Sequence, residues 1–255
     1  MTVRFARRPG TASFGLFALA VVAVCLGLGI WQLQRRVEKH ALIATLEQRL
    51  AAAPDALPAP SQWSTLTPER DEFRRVSLTA TYARLPDAMV YSSGSAVRSD
   101  VSGPGTWAFL PALLREGEIV AINTGFVQNT MQERGQQDRA VGRLITDAPV
   151  KLAGYLRFPE SAGTLTPPED AAKRLWFTRD HLAMARALGW SAGKPIAPFY
   201  IDLESPVPES GIPKPGPLEV HLKDDHLQYA VTWFALAGAV VIAFGVWWRG
   251  QRRAA

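Results

Sequence analysis

The chain has 255 residues, 47% of them hydrophobic, enough for one sizeable domain with apolar segments to spare. Its formal charge is +5, but Arg4, Arg7, Arg8, Arg249, Arg252 and Arg253 in the two extreme tails carry six positive charges, which leaves the stretch between them at −1. A near-neutral middle excludes a nucleic-acid footprint, which needs a basic stripe on the folded surface. The one cysteine, Cys25, excludes a disulfide framework, a zinc ribbon, a CxxC redox pair and a cysteine nucleophile from the remainder.

In chain order, the first predicted element is an apolar helix. No charged residue occurs from Gly10 to Gln34, and Phe14 to Trp31 is almost wholly apolar. Tyr229 to Trp248 is likewise free of charge. About 20 apolar residues in a helix cross the roughly 30 Å of bilayer hydrocarbon, so both stretches read as spans, with a buried core helix as the alternative. The first span is too long for a signal-peptide h-region and no A-x-A site follows within reach, so an uncleaved anchor is expected. Arg35, Arg36 and Lys39 follow this span, but the connecting segment is about 190 residues long and translocates with little regard for charge. The short basic tails then place both termini in the cytoplasm. Trp31, Trp247 and Trp248 sit where interfacial aromatic belts are expected. The expected organisation is a cytoplasmic tail over 1–11, a span over 12–33, a periplasmic domain over 34–226, a second span over 227–248 and a cytoplasmic tail over 249–255, in an inner membrane and in contact with its lipid.

Leu42, Ile43, Leu46 and Leu50 recur at helical spacing among Glu38, Lys39, Glu47 and Arg49, so the first span should continue above the membrane until Pro54, Pro58 and Pro60 end it. Period-2 patterns then dominate. In Phe73–Tyr82, Val76, Leu78, Ala80 and Tyr82 alternate with Arg75, Ser77, Thr79 and Thr81, which predicts a half-buried strand. Ala88–Tyr91, Thr106–Leu114, Glu118–Val127, Val150–Phe158, Leu175–Thr178 and Phe199–Leu203 are further strands, with Glu116-Gly117 as a hairpin turn. One helix interrupts them, His181–Leu188, with Asp180 as N-cap and Gly189 closing it. Ser205–Pro217 holds five prolines in 13 residues and forms a stiff connector. The expected fold is a membrane-anchored α+β protein: a transmembrane hairpin made by the terminal helices, carrying an antiparallel β-rich outer domain for which closure into a small barrel is one available arrangement.

HExxH, P-loop, GxSxG and GxGxxG signatures are absent, carboxylates are scattered, and the four methionines are dispersed, against the clusters that copper carriage wants. The histidines remain. His40 on the juxtamembrane helix and His181 in the first turn of the soluble helix read as surface or capping residues. His226 falls at the outer mouth of the second span and Trp233 follows seven residues later, so the two share one helix face about 10 Å apart along the axis. Three readings are open for this mouth. It is an interfacial His with a belt Trp; or an axial haem ligand with the macrocycle partly in lipid and its propionates toward Arg35, Arg36, Lys39 or Lys223; or a metal site of His221, Asp224, Asp225 and His226.

Six motifs carry a family resemblance over nearly the whole chain. They are Leu28-Gly-Ile-Trp-Gln-Leu-Gln-Arg35 with Lys39; Phe73-Arg-Arg-Val76; Gly103-Pro-Gly105 with Pro111; Asn123-Thr-Gly-Phe-Val127; Trp176-Phe-Thr-Arg-Asp180 with Ala197-Pro-Phe-Tyr-Ile-Asp202; and His226-Leu-Gln-Tyr-Ala-Val-Thr-Trp-Phe234. In this order between two spans, they resemble the surfeit-locus-one family of cytochrome c oxidase assembly factors, especially its bacterial members. The resemblance implies a non-enzymatic role in building the haem a centre of the oxidase's catalytic subunit, with that subunit as partner and haem a synthase as a further candidate. It also implies transient binding of haem a, with the family's haem-linked His and Trp matching His226 and Trp233. A scaffold that stabilises the catalytic subunit without binding haem is the alternative. Two departures stand out: Asn123-Thr124-Gly125-Phe126-Val127-Gln128 replaces the family's Asn-Arg-Gly-Trp-Val-Pro, and Asp224-Asp225 replaces Asn-Asn before the His.

Overall fold

A computed structural model describes residues 9–95, 97–129, 134–191, 193–219 and 224–253. The N-terminal arginines, His221 and Lys223 lie outside the described residues, and with them part of the metal reading and one propionate partner. The chain divides into two compact units, Met1–Ala44 with Leu222–Ala255, and Thr45–His221.

Two helices, α1 (Pro9–Ala51), whose residues up to Ala44 belong to the first unit, and α5 (His226–Arg253) of the same unit, are long and apolar enough to cross a membrane. Only 17% and 11% of their most apolar windows are buried, unlike a core helix of a soluble domain. Along α1 the covered positions include Gly15, Ala18, Val22, Cys25, Gly29, Gln32 and Arg36, spaced alternately by three and four residues, with Val21 and Leu28 beside them. Along α5 they include His226, Ala230, Trp233, Ala237, Val240, Phe244 and Trp247, on the same alternation, with Phe234 and Gly245 beside them. This 3–4 repeat is the spacing of a heptad seam. Gly15 and Gly29 of α1 face Phe244 and Phe234 of α5. A Cβ added at Gly29 would stand 2.4 Å from the Phe234 ring, so the glycine is what lets that ring approach. At the opposite end Phe14 packs edge-on against Trp247, with ring centroids 4.6 Å apart, which fixes the pair as antiparallel.

In the second unit, eight strands form one sheet: β1 (Asp55–Ala56), β2 (Arg75–Tyr82), β3 (Ala88–Gly94), β4 (Ser102–Leu113), β5 (Ile119–Gln128), β6 (Val150–Arg157), β7 (Leu175–Trp176) and β8 (Ile196–Ser205). The order is β1-β2-β6-β8-β5-β4-β3-β7, and β2 also pairs with β4 through Thr81–Leu113 and Tyr82–Ala112. The strands β2, β6, β8, β5 and β4 therefore pair in a ring. The expectation of an antiparallel sheet is corrected: β5 runs parallel to β8, as β1 does to β2 and β3 to β7, so the sheet is mixed. The chain crosses from β5 to β8 through more than 60 intervening residues (129–195), and such a connection leaves two strands free to run the same way.

Strand alternation explains where the core sits. Val76, Leu78 and Ala80 of β2, Leu110 and Ala112 of β4, Val120 and Ile122 of β5, and Phe199 and Ile201 of β8 meet in one cluster. The residues between them, Trp107, Phe109, Ala121 and Tyr200, face the other way and pack with Trp176, Met184 and Trp190 in a second cluster. β4 and β5 are thus buried on both faces and read as near-continuous apolar runs. Two helices that the sequence reading did not expect, α2 (Pro68–Asp71) and α3 (Arg134–Gly142), join α4 (His181–Leu188). The N-cap of α4 is Asp180, which accepts from the Leu182 and Ala183 amides, and Gly189 closes it at φ 69°. The Glu116-Gly117 turn is present between β4 and β5, where the Gly117 amide donates to the Leu114 carbonyl at 3.1 Å.

His181 is not a surface residue. It is fully buried under α4, with Nε2 3.0 Å from the Ala197 carbonyl oxygen. Burial pushes its pKa down from 6.5 to about 4, because the charged form loses its water. The unfolded chain takes up a proton at this residue between pH 6.5 and 4 that the folded chain refuses. Stability from this group is present above about pH 6.5 and lost by roughly 3 kcal/mol as pH falls to 4. Unfolding free energies across that window should therefore fall less steeply in His181→Gln than in the unsubstituted protein; equal slopes count against this assignment.

Candidate functional site at the mouth of the helical hairpin

His226 is the first residue of α5, where the charge-free helix gives way to Asp224 and Asp225. Its imidazole is half-buried, and Nδ1 lies 2.8 Å from Gln32 Oε1 of α1. With Nδ1–H donating to that oxygen, Nε2 keeps its lone pair, and among the described residues it has no hydrogen-bond partner. Trp233, one heptad on, lies on the same face between the buried Ala230 and Ala237. The shared face expected from the spacing is present, and it is the face that α1 covers.

Three side chains on one stripe of α1 meet this mouth. Gln32, Arg36 and His40 are spaced by four residues, so they stack along the helix. His40 Nε2 is 2.7 Å from Asp224 Oδ2, and Arg36 Nε is 3.7 Å from the same oxygen. Asp224 Oδ1 in turn accepts the His226 backbone N–H at 3.0 Å, tying the start of α5 to α1. That amide, and then His40, hold the Asp224 carboxyl below the usual carboxylate range. Arg35 faces Glu38 at 2.7 Å, so two of the basic residues expected to meet propionates already have acidic neighbours. Among the described residues, no group of three or more His, Cys, Asp or Glu could hold a metal ion.

Sequence reasoning quoted Gln32 only as part of a motif and did not assign it a role. The signal was available, because Gln32 is where the heptad phase of Gly15, Ala18, Val22, Cys25 and Gly29 turns from small and apolar to polar.

The SURF1 family model matches residues 19–238, from within the first apolar helix to within the last. The chain belongs to the SURF1 family. It is 31% identical to Surfeit locus protein 1 of Rattus norvegicus over 236 residues, covering 88% of this chain and 72% of the relative. Surfeit locus protein 1 of Homo sapiens is 31% identical over 236 residues, covering 87% and 73%. A SURF1-like protein of Monosiga brevicollis is 29% identical over 240 residues, covering 91% and 85%.

Phe73, Asn123 and Asp202, from three of the segments quoted above, meet Arg157 and Glu72 in a buried ionic cluster. Arg157 of β6 donates from Nη1 to Asp202 Oδ2 at 2.9 Å and from Nε to Glu72 Oε1 at 2.5 Å. Asn123 of β5 donates to the other Asp202 oxygen at 2.5 Å. The Arg157 guanidinium lies 4.4 Å from the ring centroid of Phe73, which holds a left-handed φ of 64°. Burial alone would lower the Arg157 pKa, but Tyr200, Asp202 and Glu72 outweigh it and hold the pKa above its ordinary value. The side chains of Arg157 and Asp202 are 9% and 8% exposed, so this cluster braces β5, β6 and β8 from within and is not a solvent-facing binding site. The sequence reading treated carboxylates as ordinary surface and missed it, although Asp202 stands between Ile201 and Leu203 in a strand.

Proposed function

We propose that the protein is a membrane-anchored assembly factor for cytochrome c oxidase that holds haem a at the mouth of its helical hairpin for delivery to the catalytic subunit. Family membership supports the oxidase role, and one observation supports the site: His226 stands at the end of an apolar helix with Nε2 open among the described residues. The residues fit a haem with one protein ligand, since a neutral imidazole is the axial donor that haem iron takes. Haem a, when bound, supplies the iron porphyrin of the oxidase centre. The chain's own part would be to present Nε2 of His226 and to flank the site with Trp233, and a single protein ligand would suit transfer more than storage. In this reading α1 and α5 span the inner membrane, the basic tails are cytoplasmic, and the ring of strands is a small barrel on the periplasmic side. Haem a synthase is a candidate donor, and the reading requires no chemical catalysis by this chain.

Full-length protein purified from cells that make haem a should give a pyridine haemochrome signal, and His226→Ala should reduce its haem content about tenfold or more. Equal haem content in the two proteins overturns the site and leaves a scaffold that stabilises the catalytic subunit without binding haem.

A further inference from the structure

The imidazole of His226 can present either nitrogen to a ligand, and only one choice serves a site that opens away from α1. We infer that Gln32 is the positioning residue of this site: by accepting the Nδ1 proton of His226 it fixes the ring's tautomer and direction, so that Nε2 is the nitrogen offered to iron. The inference rests on the reading of His226 as a haem ligand given above.

The hydrogen bond is 2.8 Å long and joins residues 194 positions apart in sequence, so the pairing is made by the packing of α1 on α5. Gln32 follows Gly29 in the seam, and the approach of Phe234 to Gly29 sets how close the two helices come about one turn along α1 from Gln32. An amide oxygen is a neutral acceptor. It orients the ring and raises the basicity of Nε2 without the full charge that a carboxylate would bring. Asp224 engages the His226 backbone amide, His40 and Arg36, and the side-chain oxygen that meets Nδ1 of the ring is Gln32 Oε1.

A purely structural role predicts the opposite behaviour from a positioning role on substitution. Gln32→Leu fills the seam position with an apolar side chain, which suits a heptad, so thermal stability should be retained or increased. Haem affinity should nevertheless fall roughly tenfold, within the range seen when a partner of a metal-bound His is removed. Gln32→Glu replaces the neutral acceptor by an anionic one and should strengthen the bond from the ring to iron.

The experiment compares haem dissociation constants and the iron–histidine stretching frequency of the ferrous haem in full-length protein, Gln32→Leu and Gln32→Glu, all in detergent. The expected order of stretching frequency is Glu above Gln above Leu, with affinity lost in Gln32→Leu. Identical frequencies and affinities in the three proteins, with haem lost in His226→Ala, overturn the role of Gln32 and leave His226 as ligand. Haem retained in His226→Ala removes the ligand itself, and the assignment of Gln32 falls with it.

Discussion

Arg157→Met is expected to lower the unfolding free energy by about 3–5 kcal/mol, the usual consequence of removing one partner from a buried ion pair. Asp202 and Glu72 would be left facing each other's charge with little water to replace the guanidinium, since the Asp202 side chain is 8% exposed. The loss does not mean that the pair contributes this much to folding. Burying three charges costs much of what their attraction returns, and the penalty of the variant is mostly that of stranded carboxylates. Thermal unfolding of the full chain in detergent should show Tm lower by roughly 10 °C. Adding Asp202→Asn should recover part of it by removing one stranded charge, so the two changes should be less than additive. A change in Tm of a degree or two for Arg157→Met would show that the cluster is hydrated and does not brace the strands.

Gly125→Ala is the second large effect, expected at about 3 kcal/mol or more from backbone strain and overpacking together. Gly125 sits at the bulge where β5 slips against β4, with φ 127°, a conformation L side chains rarely adopt. A Cβ there would stand 2.3 Å from the Lys214 carbonyl carbon and 2.4 Å from the Pro215 nitrogen, which are backbone atoms that cannot swing aside. The proline-rich segment 205–217 is docked at this point: the Phe126 amide donates to Lys214 at 3.0 Å and the Lys214 amide returns at 2.8 Å. The alanine variant should therefore lose hydrogen-exchange protection at Phe126 and Lys214 before it loses it in β2 or β6. Unchanged protection at those two amides would refute the close approach. The same two hydrogen bonds add a docking role to the connector 205–217, since Lys214 pairs with Phe126 of β5 through both of its backbone groups.

What could be seen in the sequence follows from how local each signal is. The two apolar helices were visible because the absence of charge over some twenty residues needs no partner to interpret. All seven predicted strands overlap observed ones, and those of β2, β5, β6 and β7 match both bounds within two residues, while β3, β4 and β8 run three or four residues further at one end than their local apolar pattern. The helix of Asp180–Gly189 was visible through both of its caps. Strand direction was not, since β5 and β8 become parallel neighbours only through a crossover whose path is tertiary. α3 was missed because Arg134–Gly142 is almost entirely polar, with Ala140 and Val141 its buried residues. His181 was misplaced because a helix's first turn gives no sign of what covers it. At the candidate site, His226 and Trp233 were legible from their heptad spacing and from the family. Gln32, His40 and Asp224 were not, as their pairing depends on the register of two helices far apart in sequence.

That register has a consequence for how the hairpin tolerates change in length. Each residue added to a helix turns everything beyond it by about 100°, while seven residues return it nearly to phase. Between Gly29, which seats Phe234, and Gln32, which meets His226, the two helices share one angular setting. A single insertion there would leave both segments as long and as apolar as before and would still rotate Gln32 away from the imidazole. Hydrophobic length decides whether such a hairpin can cross a bilayer. The rotational phase of α1 against α5 decides what its mouth presents once it is there.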